Sequence, residues 1–244
     1  MYINGIYVEI ERNSPNMETI PVSDIEKSYH GSRRGIVKTP KRFEGVTSSY
    51  LSKRKGEAIY TLLSRRGDFW SFDNDIWSSK GMKAVIDESN HTIKAGGKFN
   101  DYIEITDDLV LPLYDKFEHK WTVSFWRLES TVWHHYIIQS DDKNYKDTEE
   151  IAKPAWITVT TNSLTFNNTA DSIDEVFVFP SLVDLAMVNS WYNFDKQFPD
   201  YPHLLVEDSL LSYDGEKLCL GEVRNMDIID NSLGRIISFD LEVV

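Results

Sequence analysis

The sequence predicts a mostly all-β protein that is built from β-sandwich modules. Short segments alternate apolar and polar residues with a period of two, as in Trp121, Val123 and Phe125, and this pattern is typical of strands with one buried face. Turn-forming residues separate these segments, and aromatic residues, which suit strands, make up 13% of the chain. With 244 residues, the chain can bury one large β core or two cores of ordinary size.

The N-terminal region begins with strand-like sequence. Asn4-Gly5 is a strong tight-turn pair, and alternation continues through Ile6, Val8 and Ile10. From about residue 12 to residue 50 the chain is polar, with prolines and glycines spread through it. This composition predicts an extended arm, or loops that contain short strands.

A short amphipathic helix is predicted from Glu57 to Arg66. Ile59, Leu62 and Leu63 recur at helical spacing, and Gly67 follows as a stop signal. The aromatic-rich sequence directly after this glycine predicts a buried strand.

Beyond residue 81 the pattern changes to short strands that turn residues separate. Ile103 and Ile105 alternate with polar neighbours, and residues 157–159 and 164–166 have the pattern of a hairpin. We interpret the acidic stretch from Asp141 to Glu150 as an exposed loop.

A further short helix is predicted at the end of this strand-rich region. Ser181 and Asp184 have the spacing of a capping box at its start. Leu182, Leu185 and Val188 would then lie together on its buried face.

The C-terminal segment has the clearest alternation in the chain. Its apolar positions are Ile237, Phe239, Leu241 and Val243. This spacing predicts a strand with one buried face. The single cysteine, Cys219, excludes an intrachain disulfide, and its leucine neighbours favour a buried structural thiol.

The charge of the chain argues against nucleic acid and anionic membranes as partners. Thirty-nine acidic and 26 basic residues give a net charge of −13, which repels phosphate groups. Lys53-Arg54-Lys55 and Arg65-Arg66 concentrate positive charge, and we interpret both as a solvated face or an intersubunit contact. No apolar run approaches the roughly 18 residues of a membrane span, and the N-terminus carries no export signal. These features predict a protein that is made in a cytoplasm.

Candidate catalytic and metal-binding groups are few. In a strand, the adjacent pairs Asp107-Asp108 and Asp174-Glu175 would point to opposite faces, so a turn or an edge is the better interpretation. For the same reason, His134-His135 predicts one buried and one exposed histidine, not a metal site. Because the common nucleotide and hydrolase motifs do not occur, we expect no enzyme activity and no cofactor.

The tryptophans offer a different kind of candidate. Trp70, Trp121 and Trp126 lie in strand patterns, where packing in the core explains them. Trp133 and Trp191 are the candidates for a surface contact with a glycan.

Three segments, Lys98–Ile105, Lys120–Trp126 and Ser172–Phe179, resemble the laminin-G-like, concanavalin-type jelly roll. They occur in the order that this family shows, and the resemblance covers about residues 82–194. It implies a jelly-roll domain over that range. No residues match the calcium ligands of the family, so calcium and glycan binding are not carried over.

The flanking segments have a second resemblance. Arg33-Arg34 through Gly45, then Arg66–Asp73, and finally Ile237–Val243 resemble the ring-forming domain of tailed-phage distal tail proteins. This resemblance implies a discontinuous β-sandwich tail domain with one short helix, over residues 1–81 and 195–244, into which the jelly roll is inserted. Such an insertion is physically reasonable, because the ends of a sandwich often lie close together.

Together, these resemblances imply a structural protein of a phage virion. We expect a tail-tip component that forms a homo-oligomeric ring, contacts other tail or virion proteins, and projects the jelly roll as decoration or as a contact with a host-surface glycan. The alternatives are a carbohydrate-binding protein and a head-decoration protein. A glycan-cleaving enzyme is a further alternative, which only the fold class permits.

Overall fold

The computed structural model describes residues 2–3, 6–11, 16–19, 41–64, 66–70, 72, 91–94, 102–114, 117, 119–168, 172–197, 210–213 and 216–243. Antiparallel strands predominate in this part of the chain, which contains two helices besides. The prediction of a mostly all-β sandwich protein is therefore confirmed.

The elements follow one another along the chain in this order: β1 (Tyr2–Ile3), β2 (Ile6–Tyr7), β3 (Asn16–Thr19), β4 (Lys41–Thr47), α1 (Lys53–Leu63), β5 (Asp68–Trp70), β6 (His91–Lys94), β7 (Tyr102–Ile105), β8 (Leu109–Pro112), β9 (Thr122–Glu129), β10 (Val132–Gln139), β11 (Asn144–Lys146), β12 (Glu149–Ile151), β13 (Ile157–Val159), β14 (Ser163–Phe166), β15 (Ser172–Phe179), α2 (Leu185–Gln197), β16 (Leu210–Tyr213), β17 (Glu216–Asp230) and β18 (Arg235–Val243).

Strands from the two ends of the described chain form one sheet, which we name the terminal sheet. Its strand order is β2-β1-β16-β17-β18-β4-β3. β1 pairs with β2, with Ile3 opposite Ile6. The tight turn predicted at positions 4 and 5 lies outside the described residues. The predicted C-terminal strand is confirmed as β18, in which Ile237 and Phe239 are buried.

The middle of the chain forms a sandwich of two sheets. The large sheet has the order β12-β11-β10-β9-β15-β7-β6, with β5 also paired to β15, and the small sheet has the order β13-β14-β8. Val123, Phe125 and Ile138 of the large sheet share a buried cluster with Leu164 and Phe166 of the small sheet. The hairpin of β13 and β14 is present as predicted.

A second buried cluster joins the terminal sheet, both helices and the other face of the large sheet. It contains Phe239 of β18, Ile59 of α1, Phe177 and Phe179 of β15, and Trp191 of α2. Since the helices cover that face, β9 is buried on both sides, and Thr122 and Ser124 are fully buried.

The first helix differs from its prediction at both ends. It begins at Lys53, four residues before Glu57, because Ser52 accepts a hydrogen bond from the Lys55 N–H and caps the helix. It ends at Leu63, before the basic pair at positions 65 and 66. Its predicted apolar face is correct, since Ile59, Leu62 and Leu63 are buried.

The second helix has a different cap and a different buried face from those predicted. Asp184, not Ser181, is its capping residue, and its Oδ1 accepts the Met187 N–H at 3.0 Å. Leu185 is 48% exposed, whereas Val188 is buried with Met187. Leu182 precedes the helix and is therefore not part of its buried face.

The acidic stretch between positions 141 and 150 is not a simple loop. It contains β11 and β12, which extend the large sheet beyond β10. Asn144 and Tyr145 are buried, and the Gln139 N–H donates to Asn144 Oδ1 at 3.1 Å. Because this stretch is rich in acidic side chains, its sequence lacks the alternation of apolar and polar residues that predicts a strand.

The predicted domain boundaries, 81/82 and 194/195, remain predictions. The pairing of β1 with β16 and of β4 with β18 joins the two flanking segments, whereas β5 pairs with β15 of the large sheet. Most of the predicted arm, at positions 20–40, lies outside the described residues, as does the segment 73–90.

Candidate functional site

The two tryptophans that the sequence suggests for a glycan contact occupy different environments. Trp133 lies in β10, is half-buried, and contacts Tyr102 edge-to-face with 5.3 Å between the ring centroids. Trp191 lies in α2 and is fully buried against Phe179 and His135. The prediction that Trp191 is a surface residue is wrong, because this side of α2 packs on the large sheet.

Strand register explains how Trp133 and Tyr102 meet although their strands are not neighbours. Trp133 of β10 lies opposite Leu128 of β9, which lies opposite Ser172 of β15, which lies opposite Glu104 of β7. Tyr102 precedes Glu104 by two residues and therefore shares its face. Trp133 and Tyr102 therefore lie on the same face of the large sheet, where their rings meet.

This aromatic pair has chemistry that suits a sugar ring. Trp133, Tyr102 and Glu104 are all partly exposed on one face of the large sheet. Aromatic faces stack on the apolar face of a sugar, and a carboxylate accepts hydrogen bonds from hydroxyl groups. Trp133 therefore stays a candidate for a glycan contact, whereas Trp191 does not.

The adjacent histidines have separate partners. His135 is fully buried; its Nε2 lies 2.8 Å from Ser124 Oγ, and its ring stacks on Trp126. His134 is partly exposed, and its Nδ1 lies 2.8 Å from Asp147 Oδ2. The interpretation of one buried and one exposed histidine agrees with these positions.

The Ser124–His135 contact has the residue types of a nucleophile and its base. Both side chains are fully buried between the large sheet and α2. A nucleophile must reach its substrate, so this pair acts as buried polar packing in the described conformation.

The sequence favours a turn or an edge position for the adjacent carboxylates Asp174 and Glu175. This interpretation is wrong, because neither residue lies in a turn or at an edge. Both residues lie in β15, between β9 and β7, and both are buried. The pairing of β15 with β9 shifts register between Asp174 and Phe177, and Glu175 has a φ of +52°. This β-bulge interrupts the alternation from which the sequence was interpreted. By contrast, Asp107 and Asp108 are exposed after β7, as predicted.

A buried glutamine, which sequence reasoning missed, fastens the segment before α2 to the large sheet. Gln139 Oε1 accepts a hydrogen bond from the Val183 N–H at 2.7 Å and lies 3.2 Å from Thr122 Oγ1. Thr122 Oγ1 also contacts the Ser181 carbonyl oxygen at 2.6 Å. These contacts hold the segment before α2 on the sheet through buried hydrogen bonds.

A partly exposed charged cluster lies at one end of the sandwich and was also missed. Glu129 accepts hydrogen bonds from Lys146 at 2.7 Å and from the Tyr136 hydroxyl. Burial alone would raise the pKa of Glu129, but these hydrogen bonds and the charge of Lys146 hold it below its ordinary value. Arg127, which contacts Glu129 at 3.4 Å, lies over the Trp156 ring at 4.5 Å.

The basic run at positions 53 to 55 lies in the first turn of α1, where it meets carboxylates of the same chain. Arg54 pairs with Asp141 in the turn after β10. Burial lowers the pKa of Lys55, and the nearby carboxylates of Asp184 and Glu9 counteract part of that shift. At least part of this run therefore contributes to packing within the chain.

The described residues contain no group of three or more histidine, cysteine or carboxylate side chains that could hold a metal ion. Neither of the helices in that part of the chain is long and apolar enough to cross a membrane. No known protein family and no curated protein matches the sequence.

Proposed function

We propose that the chain is a structural protein of a bacteriophage virion, located at the tail tip. In this proposal the terminal sheet anchors the protein in a homo-oligomeric ring, and the sandwich projects outward as decoration or as a contact with the host surface. The protein is made in the host cytoplasm and becomes part of the virion.

The pairing of the two ends of the described chain is the observation that supports this proposal most. β4 pairs with β18 and β1 pairs with β16, so the strands β1–β4 and β16–β18 form one sheet. The sandwich is formed by the chain between them. This arrangement is the one expected for a jelly roll inserted into a tail domain, and the proposed identity of both parts rests on the sequence resemblances.

The buried cluster that the terminal sheet shares with the large sheet gives further support to the proposal. Side chains of the terminal sheet, the large sheet and both helices pack together, including Phe239 of the terminal sheet and Phe179 of the large sheet. A projecting module that must keep a fixed position on a particle needs such a packed junction, because small polar interfaces permit domain motion.

Imaging of the purified protein by negative-stain electron microscopy, together with its mass in solution, tests the proposal. Rings of defined order, and detection of the protein at the tail tip of purified phage particles by gold labelling, are the expected results. A monomer without affinity for tail proteins, or absence of the protein from particles, would overturn the proposal. Labelling of the head would favour a head-decoration protein instead.

The aromatic pair favours one alternative, a carbohydrate-binding protein. If the sandwich holds a glycan on this face, Trp133→Ala will abolish the signal of the intact protein on a glycan array. Trp121→Ala is the matched control, since Trp121 is also half-buried but does not belong to the aromatic pair. Its ring centroid lies 5.4 Å from the Lys153 ammonium nitrogen. Equal signals from both variants and the wild type would exclude this face as the glycan site.

A further inference from the structure

The face of the large sheet that carries the aromatic pair also carries a carboxylate. Glu104 follows Tyr102 by two residues in β7, so the two side chains point to the same face, and their Cα atoms lie about 7 Å apart. Tyr102 contacts Trp133, with 5.3 Å between the ring centroids. All three side chains are partly exposed. The two rings and the carboxylate therefore border one surface, which we name the sheet surface.

Strand register shows what lies between Trp133 and Glu104. Leu128 of β9 is opposite Trp133, and Ser172 of β15 is opposite both Leu128 and Glu104. Leu128 is partly exposed, whereas Ser172 is buried. A ligand on the sheet surface therefore meets aromatic rings and an apolar side chain at one end and a carboxylate at the other.

This combination restricts the chemistry of a ligand. A carboxylate only accepts hydrogen bonds, and its two oxygens offer about four acceptor positions, so contacts within the chain leave capacity for a ligand. The ligand must then place hydrogen-bond donors directly beside an apolar face. A hexose ring with free neighbouring hydroxyl groups does both, because its C–H face stacks on aromatic rings and its hydroxyl groups donate.

We propose that the sheet surface binds hexose rings through their C–H face, and that Glu104 selects rings whose neighbouring hydroxyl groups are unsubstituted. This inference rests on the proposed contact of the sandwich with the host surface, and it names the class of ligand. Trp133 and Tyr102 supply a stacking area that many sugars can use. Glu104 is the residue that determines specificity.

Other surface polymers fit the sheet surface less well. A methylated or acetylated hydroxyl group has no proton to donate, so such a sugar would desolvate the Glu104 carboxylate without a hydrogen bond in return. A polyol phosphate chain has no ring face to stack on Trp133, and its phosphate groups would approach a carboxylate, which is unfavourable.

A cycle of one substitution and one change of ligand tests the selection. The ligands are a soluble glucan, a galactan and a mannan, each native and O-methylated, and biolayer interferometry measures their binding to the purified protein. Glu104→Gln keeps the size of the side chain and replaces one acceptor oxygen by an amide donor. We expect it to weaken binding of the preferred native polymer about tenfold, as for loss of a hydrogen bond to a charged group. On the methylated polymer, the variant and the wild type should bind equally, because the hydroxyl donors are absent.

Glu149→Gln is the matched control for this substitution. Glu149 is exposed in β12 and lies on the other face of the large sheet, opposite Lys146 and in line with the buried Tyr136. It should bind every polymer as the wild type does. Equal weakening of native and methylated polymers by Glu104→Gln would overturn the inference, because a structural effect does not depend on ligand hydroxyl groups. Binding of poly(glycerol phosphate) in place of the hexose polymers would also overturn it.

The outcomes separate this inference from the proposed function. Binding that Trp133→Ala abolishes and Glu104→Gln leaves unchanged would overturn the role of Glu104 and keep the glycan contact. Failure of the wild type to bind any native polymer would overturn the inference, whereas gold labelling of the tail tip would still support the virion protein. Absence of the protein from particles, with the expected binding present, would overturn the proposed function but not the selection by Glu104.

Discussion

Ser52 Oγ donates a hydrogen bond to Asp184 Oδ2 at 2.6 Å, and each of these residues caps the N-terminus of a helix. Ser52 Oγ also accepts the Lys55 N–H at 3.0 Å, and Asp184 Oδ1 accepts the Met187 N–H at 3.0 Å. The starts of α1 and α2 are thereby fixed to one another. The half-buried Lys55 ammonium lies near the Asp184 carboxylate, which offsets part of its desolvation.

Loss of the Ser52 hydroxyl should destabilise the protein. Ser52→Ala removes the cap of α1 and one partner of Asp184, so we expect a decrease in the free energy of unfolding of about 1–2 kcal/mol. Ser64→Ala is the control, because Ser64 Oγ donates to the Tyr60 carbonyl at the other end of α1 and caps nothing on α2. Urea unfolding measures both effects, and an equal loss in the two variants would contradict the capping role.

Asp184 and Ser52 should also be energetically coupled. In a double-mutant cycle with Ser52→Ala and Asp184→Ala, we expect the double variant to lose less stability than the sum of the single losses, by about 0.5–1 kcal/mol. If urea unfolding shows that the two losses are strictly additive, the contact between the two helix caps contributes nothing to the free energy of unfolding.

Two glycines with positive φ should differ in their tolerance of alanine. Gly45 has a φ of +64°, and an added Cβ would meet nothing within 4 Å, so Gly45→Ala should cost about 1–2 kcal/mol from backbone strain alone. Gly67 has a φ of +128°, and its Cβ would lie 2.7 Å from the Val178 carbonyl oxygen. Gly67→Ala should therefore cost about 3 kcal/mol or more. Thermal unfolding compares the two variants, and a smaller loss at Gly67 would disprove the close packing of β5 on β15.

Features that local pattern determines were predictable from the sequence. The apolar spacing of Ile59, Leu62 and Leu63 identified a buried helical face, and the alternation of Ile237 with Phe239 identified β18. In both cases one side of the element packs and the other side stays polar. The period of the apolar residues then reports burial directly.

Features that depend on distant parts of the chain were not predictable in this way. The buried position of Trp191 depends on α2 lying against the large sheet, and Glu175 lies at a bulge that its neighbours in sequence do not signal. Asn144 and Tyr145 are buried because the large sheet continues beyond β10. Of the candidate glycan contact, the sequence identified Trp133 but not Tyr102, since register over several strands brings the two rings together.

The tryptophans in α2 and β10 should respond differently to the same substitution. Trp191→Phe removes part of a fully buried ring that contacts Phe179 and His135, so we expect a loss of about 1–3 kcal/mol. Trp133→Phe removes part of a half-exposed ring and should cost less than about 1 kcal/mol. Urea unfolding measures both losses. A larger loss at Trp133 would contradict the assignment of Trp191 to the core.

The Glu129 cluster should make stability depend on pH in the acid range. Its hydrogen bonds with Lys146 and Tyr136 outweigh burial, so the pKa of Glu129 in the folded protein lies below the unfolded value of about 4.3. The unfolded state then binds more protons in the window between the two values. The stabilising contribution is therefore present above pH of about 4.3 and is lost as pH falls through the lower, folded pKa.

Glu129→Gln removes that contribution and tests its sign. At pH 7 the variant should be less stable than the wild type by about 1–2 kcal/mol, because Lys146 and Tyr136 lose a charged acceptor. The difference should shrink as pH falls below about 4.3, since the carboxyl of the unfolded wild type then takes up a proton, and the folded carboxyl follows at its lower pKa. Glu149→Gln, an equal chemical change at an exposed position in β12, is the control for net charge. A difference between Glu129→Gln and the wild type that stays constant from pH 7 into the acid range would mean that packing of the side chain, and not its charge, stabilises this end of the sandwich.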